Sequence, residues 1–208
     1  MTSWLDALAD VAPDPVSAFR GIEAGKFLSV RREVRRRAGA GSAPDLVPQL
    51  AALAAALTEV VETLPNASFA APGGEGDWNV AQAIGHDTSA RAGLVLAASL
   101  AASGRFPSDA PSVVQGVPGP PDASREELIR RIAQSQRLIE RAARSIAGHE
   151  LDPCPLDHPL VGRLRCGEWL LFAGVHDLMH IEQLHAIAAG LARGEAEDWA
   201  APVGESPR

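Results

Sequence analysis

Apolar residues recur at helical intervals through most of this chain. Leu46, Leu50, Leu53 and Leu57, followed by Val60 or Val61, repeat every three or four positions and predict a helix over 45–64. Asp45 or Ser42 stands where a cap is needed, Pro48 is tolerable in the first turn, and Pro65 ends the segment. A second helix is expected over 77–102 with Asp77 as its cap. The third is expected over 124–148, opened by Ser124 and Glu127 as a capping box and carried by Leu128, Ile132, Leu138, Ile139 and Ile146. The fourth spans 166–193, with Trp169, Phe172, Ala173, Leu184 and Ile187 on one stripe.

The connections differ in length. Pro118, Pro120 and Pro121 exclude regular structure from the run 103–123, which predicts a long crossover placed to cover the mouth of a site. The segment 149–165 reads as a polar loop rich in Pro. Four apolar helices so joined predict an all-α protein built as a four-helix bundle over 45–194. Residues 1–44 read as an N-terminal helical extension, with one helix expected over 15–37, and residues 195–208 as an acidic C-terminal tail.

Composition supports this picture. Of 208 residues 46% are hydrophobic and 22% charged, ordinary globular usage for one domain, and the absence of Tyr with only five Phe favours helices over sheets. The formal net charge of −7 argues against a nucleic-acid partner for the chain as a whole, since phosphate contact needs a cationic face. A local exception is the run Arg31, Arg32, Arg35, Arg36 and Arg37, expected to be a solvated helix end packed on the domain, its apolar stripe formed by Phe27, Val30 and Val34. Cys154 and Cys166 form no CxxC pair, so neither a thiolate zinc site nor a disulfide framework is expected. The first residues lack a secretory pattern, and the longest apolar run, 92–103, is short of a membrane span, so a cytoplasmic protein with no membrane partner is expected.

The candidate chemistry lies in the fourth helix. His176 and His180 are four residues apart and stand on one helical face, on the stripe that points to the core. His86 shares a face of the second helix with Ala83, Ala90 and Leu94 and is placed to point inward as well. Two readings compete: hydrogen-bonded core histidines, or ligands of one divalent cation that satisfies several buried imidazoles at once. Gln183, about two turns beyond His176 on the same face, is placed to orient that residue or a water. Asp87, Asp177 and Glu182 fall off the histidine stripe by helical phase, which predicts surface salt bridges. Asp152, Cys154, Asp157 and His158 have ligand chemistry, but a Pro-rich loop is a poor scaffold for a site.

The segments 77–93, DWNVAQAIGHDTSARAG, and 158–184, HPLVGRLRCGEWLLFAGVHDLMHIEQL, resemble the DinB-like (YfiT-like) superfamily. The resemblance covers about 46–191 and rests on Trp78 opening the second helix, His86 eight residues later, and His176, His180 and Gln183 in the fourth. It implies a four-helix bundle of up-down-down-up type with a three-histidine site, His86, His176 and His180, for one divalent metal ion, zinc, nickel or iron. It also implies a small-molecule substrate, thiol-dependent transferase or isomerase chemistry with mycothiol, bacillithiol or glutathione as cosubstrate, or hydrolase chemistry, and often a homodimer. A non-catalytic metal-binding or dimerising bundle is the alternative. The extension 1–44 and the crossover 103–123 lie outside the family pattern.

Overall fold

The structure is a computed structural model that describes residues 3–23, 27–74 and 76–193. The tail expected over 195–208 lies outside the described residues. Seven α-helices are seen among them: α1 (Trp4–Ala9), α2 (Pro13–Glu23), α3 (Phe27–Arg37), α4 (Ala43–Thr63), α5 (Val80–Ala102), α6 (Arg125–Ile146) and α7 (Cys166–Arg193). The last four make the expected all-α bundle. α4 and α5 each pack against both α6 and α7, so α4 faces α5 across one diagonal and α6 faces α7 across the other.

The predicted leucine stripe is the reason α4 holds its place, since Leu46, Leu50, Leu53 and Leu57 are fully buried. α4 is also long and apolar enough to cross a bilayer, with mean hydropathy 1.3, yet those leucines are spent on the core. The cap of α5 lies two residues later than expected, at Asn79 rather than Asp77: the Asn79 side chain accepts from the Gln82 N–H and the Gln82 side chain accepts from the Asn79 N–H. At α6 only half of the expected box forms, with Ser124 accepting from the Glu127 N–H while the Glu127 carboxylate takes Arg131 one turn on. Ser42 precedes α4 without a side-chain cap bond.

Two further expectations change. The single helix expected over 15–37 is two helices, α2 and α3, preceded by the short α1. They pack on α7, burying Val16, Phe19, Val30 and Val34 in the same core as Trp169 and Leu170. The polar loop 149–165 contains a hairpin, β1 (Pro153–His158) paired antiparallel with β2 (Gly162–Arg165). Pro153 and Pro155 do not prevent it, because both point outward while Cys154 and Leu156 alternate inward. The basic run of α3 is, as expected, an exposed helix end packed on the domain, and its arginines form ion pairs: Arg36 and Arg37 with Glu33, Arg37 with Asp14, Arg35 with Glu168.

The crossover between α5 and α6 is irregular but tied at both ends. Near the hairpin, the Val114 N–H donates to the Asp157 carbonyl and the Asp157 N–H to that of Ser112. Near α5, the Gly119 N–H donates to the Gln82 carbonyl, and the Asn79 amide to that of Pro121. Gly85 and Gly119 meet backbone to backbone there, where a Cβ on Gly119 would lie 2.5 Å from the Gly85 Cα. That contact is one residue before His86.

Candidate metal centre

His86 from α5 and His176 and His180 from α7 come together in the bundle interior. All three are buried, and one ring nitrogen of each lies within 4.8 Å of those of the other two. Their ring centroids are 4.7 to 5.5 Å apart. Among the described residues no other group of His, Cys, Asp or Glu is gathered this way.

What faces each ring decides its protonation. The Nδ1 of His86 lies 2.9 Å from the Val117 carbonyl, that of His176 2.9 Å from Asp87 Oδ1, and that of His180 2.7 Å from Gln183 Oε1. Carbonyl, carboxylate and amide oxygens only accept, so each Nδ1 carries the proton and donates it. The orientation of Gln183 is fixed in turn, since its amide nitrogen donates to the Gly73 carbonyl. In a neutral ring so placed the lone pair is on Nε2, the nitrogen suited to coordinate. Ligand nitrogens about 2.1 Å from a shared ion stand roughly 3.4 Å apart, so side-chain adjustment on the order of 1 Å would draw the three around a cation.

Charge points the same way. Arg91, fully buried in α5, holds both oxygens of Asp177 through Nε at 2.8 and 3.0 Å, and also donates to Ser135, Gln136 and the Leu50 carbonyl. Asp87 is equally buried, and its Oδ2 has no hydrogen-bond partner among the described residues. Burial alone would raise the Asp87 carboxyl, but the His176 hydrogen bond and the neighbouring His180 and Arg91 hold it below its ordinary value. When both carboxyls are ionised, Arg91, Asp177 and Asp87 leave one negative charge in excess, which a cation among the histidines would offset. Correspondingly, burial pushes Asp177 up to about 7 against the pull of Arg91, with the charge of Asp87 adding to the rise. Burial also pushes His180 down to about 4. The group could hold a divalent ion through nitrogen donors suited to zinc, nickel or iron.

Some expected partners change. Gln183 orients His180 rather than His176, because α7 places it three residues beyond the former. Asp87 and Asp177 are interior groups, not surface salt bridges: helical phase misplaces them because α5 and α7 are enclosed on several sides and bury more than one stripe. A sequence signal existed, since Asp87 and Arg91 are four apart and are the only Asp, Glu, Lys or Arg in α5. The Val117 carbonyl is a backbone group, which no residue type announces. None of the hairpin candidates joins the three-histidine group: Asp152 pairs with His149, Asp157 with Arg163, Cys154 is buried, and His158 lies near His176 without sharing the cluster. His158 packs on Trp169 and Phe172, and burial pushes it down to about 4.

Trp78 lies with its ring 5.0 Å from that of His86. On the other side His86 borders a cavity of about 390 Å³ between α5 and the crossover. The family model described as the DinB superfamily matches residues 49–184 of this chain. Nothing matches among the curated proteins or the solved structures.

Proposed function

The chain belongs to the DinB superfamily, and on that premise we propose that His86, His176 and His180 hold one divalent metal ion in a small-molecule enzyme of the thiol-transferase, isomerase or hydrolase type. The observation that carries this reading is that the Nδ1 of each of the three gathered rings lies within hydrogen-bond distance of a built-in oxygen acceptor, which supports three Nε2 lone pairs turned to one buried place. Structural histidines have no need of such uniform orientation. When bound, the ion supplies Lewis acidity that lowers the pKa of a coordinating water or thiol.

The chain's own residues do the rest. Asp87 accepts the His176 proton and raises the basicity of the opposite nitrogen, while Gln183 does so more weakly for His180. The Val117 carbonyl ties His86 to the crossover, so the connection fixes one ligand and covers the site. The cavity beside His86 supports catalysis over a sealed structural site, because it gives a substrate somewhere to lie.

Elemental analysis of the purified protein tests the metal: about one ion per chain is expected, and none for His176→Ala or His180→Ala. Turnover is tested by a screen of low-molecular-weight thiols paired with electrophiles, and of simple amides and esters. Equal rates for wild type and His180→Ala across that panel would leave a non-catalytic bundle.

A further inference from the structure

The cavity beside His86 has a chemistry of its own. Its volume of about 390 Å³ suits a small molecule. One wall is α5, through Ala90, Gly93 and Ala97, and the other is the crossover, through Phe106, Val114 and Val117. Among the described residues that line it there is no Asp, Glu, Lys or Arg. Its polar side chains are His86, Ser89 and Gln115, and the Ser89 hydroxyl is already donated to the Gly85 carbonyl. Leu96, Val113 and Val117, three of the seven large hydrophobics exposed among the described residues, stand around it at 42%, 47% and 60% exposure. Such a gathering of exposed apolar side chains is stabilised when something apolar covers it.

We propose that this cavity binds the uncharged apolar part, an alkyl or aryl group, of a substrate whose polar end reaches the histidine centre past His86. The polar end rests on the metal reading above; the apolar end does not. A charged group entering here would lose its hydration with no counter-charge in the walls. A strongly hydrated thiol cosubstrate does not match this lining, so the cavity belongs to the other reactant. Val117 links the two ends, since its carbonyl fixes His86 while its side chain lines the cavity.

Straight-chain alkyl hydroxamates, acetyl to octanoyl, join a metal-ligating head to an apolar tail. Titrated calorimetrically into zinc-loaded protein, they should bind about threefold to fourfold tighter per added methylene until the cavity is full. A carboxylate at the end of the hexanoyl tail should cost about tenfold or more. Gly93→Leu puts a side chain into the cavity from a position where a Cβ meets nothing within 4 Å. It should flatten the dependence on chain length while zinc content and acetohydroxamate binding stay unchanged, and Ala97→Phe serves as a second blocking variant. The n-alkanols, butanol to octanol, should show the same chain-length dependence on chelator-treated protein. A flat series in wild type, or a slope that survives both blocking variants, overturns the proposal. A slope among the alkanols with no zinc retained and no acetohydroxamate binding supports the cavity and sinks the metal reading instead.

Discussion

Two buried polar groups lie side by side between α5 and α7, and they are completed in different ways. Around Arg91 every charge meets its opposite inside the chain: the guanidinium takes Asp177, Ser135, Gln136 and the Leu50 carbonyl. Around the histidines the protons are all directed outward to Val117, Asp87 and Gln183, so the lone pairs are gathered inward and the charge of Asp87 lacks a full counterpart. The first cluster is finished by folding. The second, on the metal reading proposed above, is finished by a ligand, and that difference would separate a structural network from a site.

Breaking the first cluster should have the largest effect. Arg91→Met removes the cation from a fully buried pair and strands Asp177, so we expect a loss of about 3–5 kcal/mol in urea denaturation, with or without metal. His180→Ala should by contrast leave the metal-free protein much less affected while abolishing metal uptake. If the two substitutions destabilised the metal-free chain equally, the histidines would be as structural as the arginine.

Stripping the metal is the next effect. A ligand that binds only the folded chain stabilises it by about 2.7 kcal/mol when present at a hundred times its Kd, so chelation should lower the melting temperature of wild type and not that of His176→Ala. A chelator that shifts neither, or both alike, would remove the distinction between the clusters. Smaller again is the loss from Asp87→Asn, which keeps the shape but weakens the acceptor for His176, and should cost roughly 10–100-fold in metal affinity by competition titration. Gln183→Ala should fall at the lower end of that span, because a neutral amide is the weaker partner.

The sequence announced the two clusters unequally. Spacing placed His176 and His180 on one face, and His86 on a face that the fold indeed turns toward them, because histidines at four-residue spacing leave a periodic trace. Periodicity misplaced Asp87 and Asp177, since it sorts residues into one inward and one outward side, whereas α5 meets both α6 and α7. The hairpin at 153–165 was obscured because its prolines read as breakers, although they occupy positions that face away from the core. The extension shows the same limit in part: the stripe of Val30 and Val34 announced a helix packed on the domain, but not that it and Phe19 complete the core beside α7, for that depends on contacts with residues more than a hundred positions away.

The smallest expected effect concerns pH, and it separates the clusters by sign. Burial pushes His180 down to about 4, below the 6.5 of an unhindered imidazole, so between those values the unfolded metal-free chain binds a proton that the folded chain refuses. The stability this histidine contributes is present above about pH 6.5 and is lost as the pH falls toward 4. Asp177 runs the other way: with its carboxyl at about 7 when folded and an ordinary 3.8 when unfolded, its contribution is complete below 3.8 and is lost as the pH rises through 7. In the metal-free protein the two trends partly cancel, which makes total stability a poor probe and a difference between variants a good one. The urea midpoint of metal-free wild type minus that of His180→Ala, compared at pH 7, 5.5 and 4.5, should therefore fall as the medium is acidified, because acid removes only the contribution that the variant already lacks. A gap that stays constant across that range would mean that His180 gains its proton as readily in the folded chain as in the unfolded one, and that burial does not hold the imidazole neutral for a cation.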